Sequence, residues 1–298
     1  MSLWVRTVCG NLYFLSCPFN LRLGRLDMIL IVASTKDIAG MNIAQQILDK
    51  YDFEKVEEKI HQTPVYSKKV QNTLAKLVFV DEELINTQFI TELFSPQLLV
   101  FISKHRSVSG RPTLSVHTPG NLGEAQMGGI PRKVSVSPAS AMRNALLEMA
   151  NMKEELELNY QVCYECTHHG PSLDAPAMFV ELGSSMKQWK DKRAAEAVAH
   201  AAMAAVSKQS KHTAVLGIGG PHYNAKFTKI ALSKPIAFGH IIPKYAVSLL
   251  DADMVRQCVE RTVEKVESVL LDWKGIKGAD KKGLMAILND VSVSIEKV

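Results

Sequence analysis

Residues 97–107 read QLLVFISKHRS, and this stretch indicates the fold class of the chain. Its first six residues are almost wholly apolar, as is typical of a central strand that is covered on both faces of a sheet. A polar cluster begins where this predicted strand ends. Residues 113–121, TLSVHTPGN, repeat the arrangement, since a short apolar run leads into polar residues. Both segments therefore predict buried strands with candidate functional side chains at their carboxyl ends.

Strands and helices alternate on both sides of this stretch, which predicts a single α/β domain. Further strands are predicted at residues 28–34, 76–80, 158–165, 177–182, 213–218 and 236–238. Helices are predicted at residues 37–50, after residue 80, from Pro138 with Ser137 as its N-cap, at 184–207, and through the apolar stripe from Val255 to Leu270. A lysine-rich tail follows that stripe.

Residues 1–27 differ from the rest of the chain. They mix aromatic, Cys and Arg residues without clear periodicity, and they end where the apolar run MILIVAS begins. They lack the long apolar centre and small-residue cleavage site of a signal peptide. We predict a poorly structured extension over residues 1–27 and one catalytic domain over residues 28–298.

The composition of the 298-residue chain is that of an ordinary globular protein, with 47% hydrophobic and 22% charged residues. Five scattered cysteines, an odd number, argue against a secreted disulfide framework. No segment reaches the roughly 18 to 20 apolar residues that span a bilayer. The formal net charge of +5 permits contact with a phosphate backbone without requiring it. We expect a cytoplasmic protein with no membrane partner.

The placement of the nine histidines is the most informative feature for function. His240 follows one short predicted strand, and five others follow longer apolar strands directly: His105, His117, His168, His169 and His222. In open α/β sheets the carboxyl ends of the strands meet at one edge, and ligands bind there. These histidines therefore predict one shared site.

Two kinds of chemistry are open to such a site. A neutral imidazole can act as a general base or acid near its usual pKa of about 6.5. Histidines clustered with a carboxylate can instead bind Zn²⁺, and Glu165 and Glu181 are the carboxylates at hand. The candidate zinc ligands are His117, Glu165, His168, His169 and His222. Because His168 and His169 are adjacent, they cannot face the same way on a regular strand. In the loop before Gly170 and Pro171 they can converge, or one can act while the other packs.

Residues 216–222, LGIGGPH, place Gly219 and Gly220 directly after a strand. Their backbone amides can hold an oxyanion or phosphate, or the glycines can simply form a tight turn that requires positive φ. Arg106, Arg111 and Lys226 border these segments. They can bind a phosphate, although each is also an ordinary surface charge.

Several of these segments resemble the archaeal and plant D-aminoacyl-tRNA deacylase family. The matching segments are residues 103–112 (SKHRSVSGRP), 114–117 (LSVH), 165–171 (ECTHHGP), 178–184 (MFVELGS), 216–223 (LGIGGPHY) and 239–240 (GH). They occur in the order of the family, and the resemblance runs from residue 28 to near the C-terminus. The run THHGP, followed by a strand and a Gly-Ser turn, is the most specific of them.

The resemblance implies a three-layer domain with a mixed central sheet, similar to nucleoside phosphorylases and peptidyl-tRNA hydrolases. It implies hydrolysis of D-aminoacyl-tRNA to free D-amino acid and tRNA, which protects translation, and it implies a link to zinc. The expected partner is the acceptor end of D-aminoacyl-tRNA, with no DNA and with a monomeric chain favoured. We expect Glu165 with His168 or His169 to activate water, directly or through zinc, and His222 to stabilise the oxyanion with the amides of Gly219 and Gly220.

The remaining implied roles concern substrate binding. The expected contacts to the terminal adenosine and its phosphate come from Ser103, His105, Arg106, Arg111, His117 and Lys226. Exposed cations are expected to hold the tRNA backbone, from either Lys187, Lys190, Lys192 and Arg193 or Lys277, Lys281 and Lys282 in the tail. Two positions depart from the family pattern: Pro221 removes a backbone donor, and Lys226 replaces an arginine that would bind bidentately.

Two other functions remain compatible with the residues alone. One is a zinc-dependent amidohydrolase or peptidase, or a nucleoside phosphorylase-like enzyme, that acts on a small substrate. The other is a non-catalytic tRNA-binding protein, which the clustered histidines argue against.

Overall fold

A computed structural model describes residues 28–60 and 62–298, so the extension predicted for residues 1–27 lies outside the described residues. The larger of two sheets contains β1 (Met28–Ser34), β2 (Glu54–Ile60), β3 (Thr63–Val70), β4 (Thr73–Val80), β5 (Leu98–Arg106), β6 (Thr113–His117), β7 (Gln161–Tyr164) and β8 (Ala177–Ser184). Their order across the sheet is β2-β3-β4-β1-β5-β8-β6-β7. Strands β4, β1, β5 and β8 are parallel, whereas β6 and β7 run opposite to β8. The predicted mixed central sheet is confirmed.

The second sheet contains β9 (Thr213–Ile218), β10 (Ile236–Ile242), β11 (Val266–Leu271) and β12 (Ile295–Lys297). All four strands are parallel, in the order β10-β9-β11-β12. The helices are α1 (Ile38–Lys50), α2 (Ile90–Leu93), α3 (Ala139–Glu155), α4 (Met186–Trp189), α5 (Lys192–Ser207), α6 (Ala225–Ser233), α7 (Ala252–Glu260) and α8 (Gly278–Val291). Among the described residues, no helix is long and apolar enough to cross a membrane.

The central strands are buried on both faces, which is why their sequences are continuously apolar rather than alternating. In β1, Ile29 and Ile31 belong to the core beneath α1, α3 and α5, whereas Leu30 and Val32 belong to the core on the opposite face. The predicted α/β class, with helices flanking a mixed sheet, is confirmed. Helix α5 contributes mostly alanines to the first core, and these small side chains let it pack closely against α1 and α3.

The two sheets are joined by the segment that follows β7. Glu165 forms an antiparallel bridge with Tyr223, which follows β9. The amide of Cys166 donates to the carbonyl of His222 over 3.0 Å, and the amide of Thr167 donates to that of Ile241 over 2.8 Å. The histidine segment 165–169 therefore lies where the sheets meet.

Several predicted elements were wrong. The helix expected over residues 184–207 is two helices, because the side chain of Asp191 caps a new helix by accepting from the amides of Arg193 and Ala194. The stripe expected to be helical from residue 255 to 270 is α7 followed by β11, and the lysine-rich tail forms α8 and β12. Ser137 does not cap α3, since its hydroxyl donates to the carbonyl of Gly239.

Candidate active site

The candidate site lies on the face of the large sheet that is opposite to α1, α3 and α5. In neighbouring strands, Ser103 of β5 pairs with Glu181 of β8, and His117 of β6 pairs with Phe179 of β8. Paired residues, and residues two apart on a strand, share a face. His105 and Ser103 therefore lie beside Glu181, and the ring of His117 stacks on that of Phe179 at 5.1 Å.

The prediction that these histidines meet because their strands end at one edge of the sheet was only partly right. The five strand-end histidines do come together, but β6 is antiparallel to β8, so their strand ends do not share one edge. His117 reaches the cluster across the face of the sheet. His168 and His169 reach it from the segment that follows β7, and His222 reaches it from the loop after β9.

Glu165 is the centre of the cluster, and its side chain is fully buried. Its Oε2 accepts from Nε2 of His222 at 2.9 Å and lies 3.7 Å from Nε2 of His168. Its Oε1 lies 3.2 Å from Nδ1 of His105, without the alignment of a hydrogen bond. Burial by itself raises the pKa of this carboxyl, but the hydrogen bond from His222 and the surrounding imidazoles outweigh burial and hold the pKa well below its usual range.

Two tyrosines extend this centre outward through histidines. The hydroxyl of Tyr245 lies 3.0 Å from Nδ1 of His222, and the hydroxyl of Tyr223 lies 2.8 Å from Nε2 of His105. Since the other nitrogen of each ring faces Glu165, two Tyr–His–carboxylate chains meet at one carboxylate. Neither tyrosine was predicted as a site residue. Tyr223 stands inside a matching motif, but Tyr245 lies in a turn without any motif that would single it out.

His105 differs electrostatically from the other histidines. Burial lowers its pKa, but the close approach of Glu181, whose Oε2 lies 3.6 Å from Nδ1, and the charge of Glu165 outweigh burial, so the pKa of His105 is raised. Ser103 supports this arrangement, because its hydroxyl donates to Oε1 of Glu181 at 2.7 Å. Two carboxylates thus favour the charged imidazolium here.

Backbone carbonyls fix the orientation of His168 and His169. Nδ1 of His168 lies 2.8 Å from the carbonyl oxygen of Cys166, and Nδ1 of His169 lies 2.7 Å from that of Gly170. Each Nδ1 therefore carries the proton, and each Nε2 presents a lone pair to the cluster. Burial lowers the pKa of both rings, most strongly at His168 where His169 adds a second lowering effect, and this keeps the imidazoles neutral.

The donor set fits a metal ion. The groups whose ligand atoms lie within 4.8 Å of one another are His117 with His168 and His169, Glu165 with His168 and His222, and His105 with Glu165 and Glu181. Nδ1 of His117 is buried without a hydrogen-bond partner, and burial followed by the neighbouring His168 and His169 lowers the pKa of this ring well below its usual value. A ligating histidine usually donates its second N–H to a backbone carbonyl, as His168 and His169 do.

Two cavities open onto the cluster from different sides, and His168, His169, His222 and Met127 line both. The first, of about 600 Å³, has an apolar wall that includes Leu122, Ala246 and Leu249, and polar side chains and Tyr245 line the rest of it. The second, of about 490 Å³, is walled by polar residues of β5 and β8 and by Tyr223. We call them the apolar cavity and the polar cavity. The apolar cavity is lined by residues that include Leu122, Glu124, Met127, Arg132, Tyr245 and Leu249, and the polar cavity by residues that include Ser103, His105, Arg106, Glu181 and Tyr223.

Three residues predicted to bind substrate lie away from both cavities. The amide of Gly219 already donates to the carbonyl of Ile242, and Gly219 and Gly220 have φ of 108° and 76°, so they form a turn in which the Gly219 amide is not free to hold an oxyanion. Lys226 pairs with Asp272 and the carbonyl of Val298.

Two further candidates also fall outside the cluster. Arg111 is exposed on the loop after β5 and lines neither cavity. His240 does not end a strand, because β10 continues to Ile242, and its buried ring contacts Thr167 and the carbonyl of Arg261 instead.

Comparison with known proteins connects this geometry to one family. The family model described as D-aminoacyl-tRNA deacylase matches residues 92–296. A D-aminoacyl-tRNA deacylase of Pyrococcus abyssi is 36% identical over 277 residues, covering 91% of this chain and 100% of that protein. One from Methanosarcina barkeri is 33% identical over 285 residues, covering 93% and 92%.

A solved structure has the same fold. The crystal structure of a conserved protein of unknown function superposes with a TM-score of 0.81 and 30% identity, covering 91% of this chain and 95% of that one.

Proposed function

Because this chain belongs to the D-aminoacyl-tRNA deacylase family, we propose that it hydrolyses the ester bond of D-aminoacyl-tRNA, releasing free D-amino acid and tRNA. The observation that carries the proposal is that the matched segment, residues 92–296, contains every residue of the buried cluster around Glu165. A small-substrate amidohydrolase or phosphorylase and a non-catalytic tRNA-binding protein are not favoured by this match.

We propose that the metal is zinc. His117, His168, His169, Glu165 and His222 would hold it, since neutral imidazoles with a carboxylate are ligands that zinc takes readily. When bound, Zn²⁺ supplies a water whose pKa is lowered to about 7, together with Lewis-acid polarisation of the ester carbonyl. The backbone carbonyls that hold His168 and His169 keep their Nε2 lone pairs available at neutral pH.

The residues of the chain itself provide for the proton transfers. Glu165 stays ionised, and its carboxylate keeps the rings of His222 and His105 turned toward the cluster. Tyr223 lines the polar cavity with its hydroxyl on His105, so a proton can pass from Nε2 of His105 through the Tyr223 hydroxyl to the ribose oxygen as the ester breaks. We assign Tyr223, backed by His105, as the acid for the leaving group.

The cellular setting belongs to the same proposal. We expect the reaction to take place in the cytoplasm, as part of translation quality control and D-amino acid metabolism, with the acceptor end of the tRNA as the macromolecular partner.

The decisive experiment follows the loss of paired D- and L-tyrosyl-tRNA with purified protein, before and after a chelator and again after added Zn²⁺. We expect only the D-ester to be lost, the chelator to stop the reaction, and zinc to restore it. Survival of both esters with folded, zinc-loaded protein would contradict the proposed function. Loss of the D-ester despite complete metal removal would contradict the zinc assignment alone.

His168→Ala is the matching variant, and His200→Ala is its control. The two side chains are equally exposed, at 26%, but His200 lies on α5, where it contacts Tyr51 and Glu196. We expect His168→Ala to lose activity and bound zinc, and His200→Ala to keep both. Full activity in folded His168→Ala would remove this residue from the site.

A further inference from the structure

A third cavity, of about 490 Å³, lies beyond the polar cavity, where the carboxyl ends of β5 and β8 meet α4. We call it the acceptor groove and define it by five of its lining residues: Arg106, Val108, Ser185, Met186 and Trp189. Arg106 lines both the groove and the polar cavity, so the two adjoin at this residue. The indole N–H of Trp189 donates to the carbonyl of His105 at 2.9 Å, which fixes the groove directly behind the catalytic cluster.

The chemistry of the groove suits single-stranded nucleotides. Within the described residues, the exposed guanidinium of Arg106 has no hydrogen-bond or ion-pair partner, so it is free to bind a phosphate. Val108 is fully exposed at 108%, Met186 is 46% exposed, and Trp189 is half-buried beside them. A cation next to exposed apolar and aromatic side chains is the combination with which proteins hold a backbone and stack its bases.

The apolar cavity, at the other end, is unsuited to a phosphate. Its lining cation, Arg132, is already paired with Asp251, and Glu124 adds a negative charge. Leu122, Met127 and Leu249 give it an apolar wall. The apolar wall suits the side chain of the esterified amino acid better than it suits the phosphate backbone of the tRNA.

These two ends set the direction of the substrate. Resting on the proposed function, we infer that the tRNA acceptor strand leaves the polar cavity over Arg106 into the acceptor groove, while the aminoacyl side chain enters the apolar cavity. The ribose then lies beside Tyr223, and the ester lies at His168, His169 and His222, which line both cavities. Lys187 and Lys190 follow Met186 along the chain, are exposed, and continue the positive surface beyond the groove.

The test compares two substrates that share the ester but differ in length: D-tyrosyl-tRNA and the D-tyrosyl ester of adenosine. Val108→Glu places an anion in the groove at a position whose side chain is fully exposed. Val263→Glu is the matched control, since Val263 is also exposed, at 57%, and lines none of the three cavities. The quantity compared is kcat/KM for D-tyrosyl-tRNA divided by kcat/KM for the adenosine ester. We expect Val108→Glu to lower this ratio about tenfold, because it raises KM for the tRNA, and Val263→Glu to leave the ratio unchanged.

Arg106→Gln tests the phosphate contact by a readout that needs no catalysis. The affinity for uncharged tRNA is measured by fluorescence anisotropy over a series of salt concentrations, with Lys69→Gln on β3 as the control. Loss of one contact to single-stranded phosphate reduces the slope of log Kd against log salt by about 0.7. Arg106→Gln is expected to show that reduction, and Lys69→Gln is not.

Leu249→Glu in the apolar cavity distinguishes the two directions. We expect Leu249→Glu to lower kcat/KM for both substrates by the same factor, because both carry the same tyrosyl group. If Leu249→Glu instead lowers the tRNA ratio and Val108→Glu does not, the substrate lies the other way round. If the slope of log Kd against log salt is the same in Arg106→Gln as in the wild type, the inferred direction of the acceptor strand is wrong, whether or not the protein hydrolyses either ester. If the wild type hydrolyses neither ester, that result contradicts the proposed function and leaves the binding result to decide the inference.

Discussion

Acid is expected to destabilise the fold through His240, a histidine outside the active site. Its side chain is fully buried on β10, with Nδ1 3.1 Å from the hydroxyl of Thr167 and Nε2 3.2 Å from the carbonyl of Arg261. The neutral ring satisfies both partners, since Nε2–H donates to the carbonyl and Nδ1 accepts from the hydroxyl. Burial lowers the pKa of His240 from 6.5 to about 4, so between these two pH values the ring is protonated in the unfolded chain but neutral in the folded protein.

The direction and size of the effect follow from that pKa. Below about pH 6.5 the unfolded state binds the proton and the folded state does not, so the free energy of unfolding falls as the pH falls, until the folded ring also titrates near pH 4. At about 1.4 kcal/mol for each pKa unit, the full loss is about 3 kcal/mol. About 2 kcal/mol of it should be lost between pH 7 and pH 4.5.

Urea unfolding of metal-free wild type and His240→Gln at these two pH values isolates the contribution. Other titrating groups affect both proteins alike, so the wild type should lose about 2 kcal/mol more than the variant. Equal losses would refute the reasoning. If the variant does not fold, NMR titration of His240 in the wild type gives the same answer, because its ring signals should not move between pH 7 and about pH 5.

Two further predictions concern the catalytic side of the cluster. In Gly183→Ala, the new Cβ would lie 2.6–2.9 Å from Cδ2, Cβ and Cγ of His105 on the paired strand, so the His105 ring must move. We expect the free energy of unfolding, followed by circular dichroism, to fall by about 1–3 kcal/mol, and kcat in the deacylation assay to fall as well. Tyr223→Phe removes the proposed acid for the leaving group, so we expect kcat for D-tyrosyl-tRNA to fall about 100-fold or more, and kcat for an activated D-tyrosyl phenyl ester, whose leaving group needs less protonation, to fall less. Equal falls for the two esters would assign Tyr223 a structural role only.

Six of the eight strands of the large sheet were predicted, namely β1, β4, β5, β6, β7 and β8, and buried apolar residues carried most of the signal. β1, β5, β6 and β8 are buried on both faces, so their sequences carry the signal directly. β2 reads EKVEEKI and is largely exposed at the sheet edge, so no apolar pattern marks it. Between residues 255 and 270 the apolar residues have helical spacing by coincidence, and the hydrogen bonds of β11 to β9 prevail over that spacing.

The site was predictable to the extent that its members end or follow buried strands. His105, His117, His168, His169 and His222 were found in this way. Sequence spacing could not reveal the antiparallel course of β6, because strand direction depends on pairing with distant segments. The same limit applies to the glycine turn: LGIGG is compatible with an anion site or a turn, and only the hydrogen bond between the Gly219 amide and Ile242 decides between them.

The position of Glu165 makes the active site a structural part of the fold. A buried carboxylate is costly unless charged or hydrogen-bonding partners surround it, and here the partners come from separate segments: His105 from the large sheet and His222 from the second sheet. The backbone of Glu165 also bridges to Tyr223, so the same residue joins the two sheets and contacts the clustered histidines. Any change that separates the sheets would leave this charge unpaired. The contact between the two sheets and the arrangement of the histidine cluster therefore depend on the same residue.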